Sequence, residues 1–532
     1  MKNNRFCLFI CSSLFLLSYL LSDDWVAYIT NVESSTVTPI NLTTNMTLSS
    51  IPVAPTPFGV AITPDRKTAY VANNGSNTVT PIDIATNTAG TPIAVGGNPQ
   101  VIAITPGANA KAYVTNGTSD TVSVIDVATN TVVATISVGS EPFCLAINPS
   151  GTKAYVTNGA DSTISIIDIA TNTVQSTVTV GHFVYAMAIK PDGSTLYIVN
   201  SSTNNVTPFD TATNTPGTDI TVGTFPTGIA ITQDGTKAYV ANQNDNTVTP
   251  IDLTTNTPGT PIPFSSVSLG IAITPDGKTA YVNNLEDNTV TPILVATNTV
   301  GTPISVGSEP QGIAITPDQA PVASFIAPST AAVGASVTFD ASASSTLVGT
   351  IESYAWDFGD SQSTTVSSPV VTHTYSSAGT FSVTLVVTNS AGTSEAITFT
   401  GQTVSNAGSE VARQSHTLVI GQPASLPKRP SHFIGKIKQH KHEHETQVKL
   451  KTKWKSSSST DVVRYEIFAF HKRIASISST SQLAFSKYVH PDHFEKGDIS
   501  SSDRHFWDNK YQIRSVSSTG LASSFRHLKV KE

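Results

Sequence analysis

From residue 24 to residue 318 the apolar positions come in short runs, each closed by Asn, Asp, Gly or Pro. One phrase returns throughout, in its clearest form Ala154-Tyr155-Val156-Thr157-Asn158. Its tyrosine stands at Tyr28, Tyr70, Tyr113, Tyr155, Tyr197, Tyr239 and Tyr281, 42 or 43 residues apart. A fixed period near forty is the mark of a stacked or radial repeat. One period, residues 228–263, divides into four runs: Gly228-Ile229-Ala230-Ile231, Lys237-Ala238-Tyr239-Val240, Thr247-Val248-Thr249-Pro250-Ile251 and Pro258 to Pro263. Four short strands bounded by turn residues make one blade of a β-propeller. The Gly-containing run with small Ala230 is expected innermost. The Pro-containing third and fourth runs are expected toward the outer edge, where a missing ladder donor is tolerated.

The phase of the repeat predicts how the ring closes. The first copy begins at a Tyr phrase, the second strand of a blade. The last ends at Gly312-Ile313-Ala314-Ile315-Thr316, a first strand with no Tyr phrase after it. Residues 311–316 are therefore expected to supply the inner strand of a sheet whose other strands come from residues 25–53, which removes open sheet edges.

Asn45, Asn87, Asn130, Asn172, Asn214, Asn256 and Asn298 recur in phase, five of them preceded by an Asp at Asp83, Asp126, Asp168, Asp210 and Asp252. Asn and Asp bond their own backbone and tolerate left-handed conformations, so these read as turn formers and not as a metal array.

These phrases, with Ile273 to Tyr281 (Ile-Thr-Pro-Asp-Gly-Lys-Thr-Ala-Tyr) and Asp126 to Val132 (Asp-Val-Ala-Thr-Asn-Thr-Val), resemble the YVTN-type β-propeller repeat of exported and surface proteins of bacteria and archaea. The resemblance implies a seven-bladed propeller acting as a binding or surface module; relatives include lactonase-like enzymes. The residues themselves argue against catalysis. Residues 24–318 hold one His (His182), one Arg (Arg66) and six Lys, all six in or beside the turn before the Tyr strand. Acid–base chemistry needs convergent titratable groups. No Cys-x-x-Cys-His, Gly-rich phosphate loop or Cys/His metal spacing occurs. The irregular stretches 182–185 and 264–267 read as drifted connections between blades. Cys144, in an apolar strand, reads as a small core residue.

After Asp318 the period stops. Alternating strands at Pro321 to Phe325, Ser336 to Asp340 and Gly379 to Val387 suggest a β-sandwich. Trp356-Asp357-Phe358-Gly359-Asp360 and His373-Thr374-Tyr375 closely resemble the PKD domain, an immunoglobulin-like module. Trp356 is expected in its core and Asp357, Gly359 and Asp360 in a tight turn, with calcium at the two carboxylates the lesser reading. Residues 405–426 read as a linker. In residues 427–532, Trp454, Tyr465, Tyr511, Gly520 and Ser523 resemble the fibronectin type III pattern, with Tyr511 at the tyrosine-corner position. His440-Lys441-His442-Glu443-His444 reads as a solvated loop, metal binding being the lesser reading.

Charge sharpens the division. Residues 1–404 carry nine Lys and Arg against 26 Asp and Glu, a net of −17, and residues 405–532 carry 21 against 11, a net of +10. The basic end suits an acidic surface. It lacks the interleaved aromatics that stack on bases, so no nucleic-acid partner is expected. At the N-terminus Lys2 and Arg5 precede an apolar run, Phe6 to Leu21, which reads as a signal peptide or N-terminal anchor. After cleavage only Cys144 would remain.

The expectation is thus all-β: residues 1–22 a signal or anchor, 23–318 a seven-bladed propeller, 319–404 a PKD sandwich, 405–426 a linker and 427–532 a fibronectin-like sandwich. The function expected is non-enzymatic, in adhesion, surface structure or ligand binding at the secreted or envelope level, with a protein or glycan partner. No catalytic, cofactor or metal residue is assigned. A lactonase-type propeller enzyme and a subunit of an envelope complex are the alternatives.

Overall fold

A computed structural model describes residues 24–107, 109–181, 184–266 and 268–421. Beyond these it gives the backbone of the strands Phe433–His442, Glu445–Trp454, Val462–Ala469, Lys472–Ser478, Ala484–Val489, Tyr511–Ser517, Arg526–His527 and Lys529–Val530. By compactness the chain forms two units. The first runs through Ala327 and takes in Thr338–His373 and Ser382–His416; the second comprises Pro328–Val337, Thr374–Phe381 and Thr417–Glu532.

Seven antiparallel sheets follow the repeat. In each, an inner strand pairs with the Tyr strand, which pairs with a third strand, which pairs with an outer one. Blade 1 takes its inner strand, Pro310–Ile315, from the end of the repeats: Ala27 pairs with Ile315, Tyr28 with Ala314 and Ile29 with Ile313. The Val26 amide adds a hydrogen bond to Thr316 Oγ1 at 2.9 Å. Ring closure is as the phase predicts.

The outer strand departs from expectation. Residues 258–263 do not form one strand; blade 6 has two fragments, Thr257–Pro258 and Ile262–Pro263. Blades 1, 2, 5 and 7 split in the same way. The cause lies in the third strand, where Pro39, Pro81, Pro208, Pro250 and Pro292 have no amide to give the outer strand. Their carbonyls still accept, as where Gly259 N donates to Pro250 O at 2.7 Å. Blades 3 and 4 have Val124 and Ile166 there, and their outer strands, Thr131–Ser137 and Thr173–Thr179, run unbroken.

Each Tyr ring is buried and packs toward the following blade: Tyr70 sits with Ile102, Ile104 and Val114. In six of the seven cases its phenol then bonds the turn asparagine of that blade, Tyr155 being the exception. Tyr113 Oη donates to Asn172 Oδ1 at 2.7 Å, Tyr197 to Asn256 at 2.7 Å, and Tyr281, across the ring closure, to Asn45 at 2.8 Å. The turn asparagines are left-handed, with φ from 51° to 56°. The preceding aspartates close the same turns: Asp168 Oδ1 accepts from the Thr171 amide at 2.8 Å.

The PKD segment has a core of Phe325, Phe339 and Trp356, with Trp356 only 1% exposed and edge-on to Phe325 at 5.0 Å. Asp357 Oδ1 accepts from the Gly359 amide at 2.9 Å, and Gly359 has φ 76°, the expected tight turn. Asp360 Oδ2 bonds His373 Nε2 at 2.8 Å, and the imidazole stacks on Phe358 at 4.0 Å. Residues 405–426 are not simply a linker. Val404–Ala407 pairs with the preceding strand, and Arg413–Ile420 is itself a strand whose last two residues pair with Thr330 and Ala331.

In the second unit two four-stranded sheets form, one holding Phe433–His442 and Glu445–Trp454, the other Val462–Ala469 and Tyr511–Ser517. The His cluster is therefore not a loop throughout: His440 pairs with Gln447 and His442 with Glu445 in a long hairpin. Glu443 and His444, like Gly520 and Ser523, lie outside the described residues, as do His182, Phe183 and Val267.

Candidate functional site

Seven inner strands surround a central cavity of ≈ 210 Å³. The strands are nearly uniform in sequence, and one of their positions carries most of the difference. Their second residues are Phe58, Gln100, Phe143, Tyr185, Thr227, Leu269 and Gln311. In blades 1, 3 and 7 the residue before the final Asn of the Tyr phrase reaches into the next blade and grips its second-position carbonyl; Ala72, Val199 and Ala241 stand there in blades 2, 5 and 6, and Thr157 bonds Cys144 O of its own blade at 3.3 Å. Thr30 Oγ1 donates to Phe58 O at 2.5 Å, Thr115 Oγ1 to Phe143 O at 2.7 Å, and Asn283 Nδ2 to Gln311 O at 2.9 Å. The third residue is Gly in blades 1, 2, 6 and 7, where strands approach closely: a Cβ on Gly312 would collide with the Phe58 carbonyl.

Side chains at the second position form an aromatic wall. Phe58 and Phe143 meet edge-on at 5.8 Å, and Phe143 and Tyr185 lie 4.5 Å apart at 46°. Phe225, just before the blade 6 inner strand, extends the row at 6.3 Å from Tyr185. The Tyr185 phenol and the Gln311 side-chain amide have no hydrogen-bond partner among the described residues. Burial holds the Tyr185 phenol above its ordinary value.

The opposite end of the inner strands is closed by the PKD module. Between the strands Thr398–Phe399 and Val404–Ala407, four residues lie across four blades, each taking one amide. Thr400 O accepts from Ile189 N at 3.0 Å, Gly401 O from Ile147 N at 2.7 Å, and Gln402 O from Ile104 N at 3.0 Å. Thr403 Oγ1 accepts from Ile62 N at 3.4 Å. The Gln402 side chain enters the cavity and donates to Met187 O at 3.2 Å and Leu145 O at 3.3 Å, with Cys144 Sγ at 3.5 Å.

Cys144 is 3% exposed, and burial pushes its thiol up to about 12, against the smaller opposing effect of its hydrogen bonds. It sits in the core, as expected. Among the described residues, the cavity wall contains no Asp, Glu, Lys, Arg or His. Such a wall recognises by stacking and by neutral hydrogen bonds.

Residues 318–404 match the PKD domain family, and residues 135–261 match the family described as lactonase, 7-bladed beta-propeller. Among solved structures, a functionally unknown protein from Desulfotomaculum acetoxidans aligns at 15% identity and TM-score 0.50, over 55% of this chain and 98% of that one. A provisionally assigned 6-phosphogluconolactonase from Bacteroides uniformis aligns at 16% and 0.48, over 55% and 100%. The hydrazine synthase of Kuenenia stuttgartiensis aligns at 22% and 0.46, over 51% and 92%. The lactonase match overturns the expectation that the chain is no enzyme: the scarcity of convergent titratable groups, on which that expectation rested, does not separate this propeller from an enzyme family. The fold is thus a seven-bladed propeller, similar over residues 135–261 to the lactonase family, followed over residues 318–404 by a segment that matches the PKD domain.

Proposed function

We propose that this chain is an exported or cell-surface protein whose propeller binds a small uncharged ligand at the aromatic end of its channel. The observation that carries the reading is the second position of the inner strands: it departs from the repeat, and five of its residues, Phe58, Phe143, Tyr185, Thr227 and Gln311, line the cavity away from the stopper. A cavity with an aromatic face, a few polar groups and no charged side chain among its described residues has the makeup of a small-molecule site. The stopper directs entry to the aromatic end. Export rests on the basic and apolar N-terminal run. The test is a small-molecule and glycan array probed with the native protein and with the Phe58→Ala/Phe143→Ala double variant. Signals present in the first and lost in the second support the reading; no signal dependent on these rings refutes it.

The match over residues 135–261 favours a second reading, hydrolysis of a lactone in the same channel. Proton release from glucono-1,5-lactone above the spontaneous rate, reduced by Tyr185→Phe, would support it. Release at the spontaneous rate would exclude this substrate.

A further inference from the structure

Three observations in the cavity constrain the ligand beyond its being uncharged. The first is the row of rings, Phe58, Phe143 and Tyr185, whose centroids are 5.8 and 4.5 Å apart. All three residues line the cavity, and aromatic rings suit the C–H face of a ring or another π system. The second is a pair of polar groups there with no hydrogen-bond partner among the described residues, the Tyr185 phenol and the Gln311 amide. Between them they offer donors and acceptors of both kinds. A purely apolar guest would desolvate them without replacing their water, which costs roughly 1–3 kcal/mol per group. The third is the absence of any charged side chain in the described wall. A phosphate or carboxylate would enter unpaired, which low-dielectric surroundings penalise heavily.

Together these point to one chemistry: a ring with a C–H face on one side and hydroxyls at its edge. Size agrees. At ≈ 210 Å³ the cavity is smaller than the roughly 300–1,000 Å³ of sites that enclose drug-sized ligands, so it admits one ring end-on. Gln402, reaching in from the stoppered end, closes the floor with its amide.

We infer that the channel takes a single neutral pyranose unit, stacked on the Phe58–Phe143–Tyr185 wall and hydrogen-bonded through its hydroxyls to Tyr185 and Gln311. This deepens the proposed function and rests on the aromatic end being the ligand site. The experiment is titration of the full-length native protein, by calorimetry and ligand-observed NMR, with methyl glucopyranoside, methyl galactopyranoside, glucose 6-phosphate and p-cresol. At least one neutral glycoside should bind, and glucose 6-phosphate should bind at least tenfold more weakly than it. Phe143→Ala should weaken the glycoside at least tenfold. Tyr185→Phe and Gln311→Ala should each weaken it severalfold, while Tyr185→Phe retains the ring and hence the fold. Equal binding of the phosphate ester, or glycoside binding indifferent to all three substitutions, would overturn the inference. If p-cresol binds in a Phe143-dependent way and no glycoside does, the sugar fails and the site stands. If neither p-cresol nor any glycoside binds, the inference fails together with the site reading.

Discussion

Gly401 is the residue on which the stopper turns, and replacing it by alanine should open the channel. Its φ is 124°, a conformation L side chains rarely adopt, and an added Cβ would lie 3.0 Å from Ala146 Cβ and 3.5 Å from Ile189 Cγ2. Such backbone strain costs about 1–3 kcal/mol. The loop is held by four bonds from the rim amides, each with a net contribution of roughly 0.5–1.5 kcal/mol. The strain therefore offsets a large part of what keeps the loop seated, and the open population should rise roughly 5- to 150-fold, since about 1.4 kcal/mol is tenfold. Cys144 reports this directly. Seated beside Gln402 Nε2, its thiol is buried and pushed up to about 12. An exposed thiol has a pKa near about 8.5. Alkylation at pH 8 should therefore proceed through the open state. Iodoacetamide labelling, assigned to Cys144 by peptide mass spectrometry, should be at least fivefold faster in Gly401→Ala at a temperature well below the thermal midpoint of both proteins. A rate within twofold of the native one would refute a loop held as described.

Tyr113→Phe removes the 2.7 Å bond to Asn172 while keeping the ring, and should lower stability by about 1 kcal/mol in chemical denaturation; no change would mean that the phenols do not staple the blades. Gly312→Ala should lower it further, by about 1–3 kcal/mol, because the new Cβ meets the Phe58 carbonyl and lies 3.0 Å from Thr30 Oγ1; a neutral result would contradict the close packing at ring closure. Alkali should unfold the ring. Burial, aided in the first two by nearby aspartates, raises Tyr70, Tyr113 and Tyr239 to about 12, above the unfolded value of about 10. Folded and unfolded chains are equally protonated below pH 10, so stability is full there and falls as pH rises from 10 to 12. Thermal midpoints followed with phenolate absorbance should show that fall, and a flat profile would refute it.

The parts of the fold that could be read from the chain are those fixed by repetition. The Tyr phrase marks a strand seven times over, and its phase alone places Ile315 beside Ala27. Proline was harder to read. A Pro in the third strand, such as Pro250, breaks the strand beside it, so the run Pro258 to Pro263 looked continuous when its neighbour had already divided it. The strand Arg413–Ile420 was hidden because its outward positions are charged or polar and its buried residues fall mainly at the end, at Leu418 and Ile420. The stopper gave no signal at all. Thr400, Gly401, Gln402 and Thr403 are ordinary loop residues, and Gln402 meets Cys144 across 258 residues of chain. The aromatic wall was present in the sequence but dispersed: Phe58, Phe143 and Tyr185 are unremarkable singly. Aligning the copies and asking which column of the inner strand varies most would have found them.

The shared sheet of blade 1 also sets the order in which this protein can be made. Val26 waits for Thr316, a partner 290 residues further on, so the first strands to be synthesised are among the last to find their place. Contacts of such long separation are slow to form, because loop closure is entropically costly before any contact repays it. Until residue 315 is available the growing blades keep one unsatisfied edge. A chain of this design stays incompletely folded until its last propeller strand is made, and that strand completes the ring.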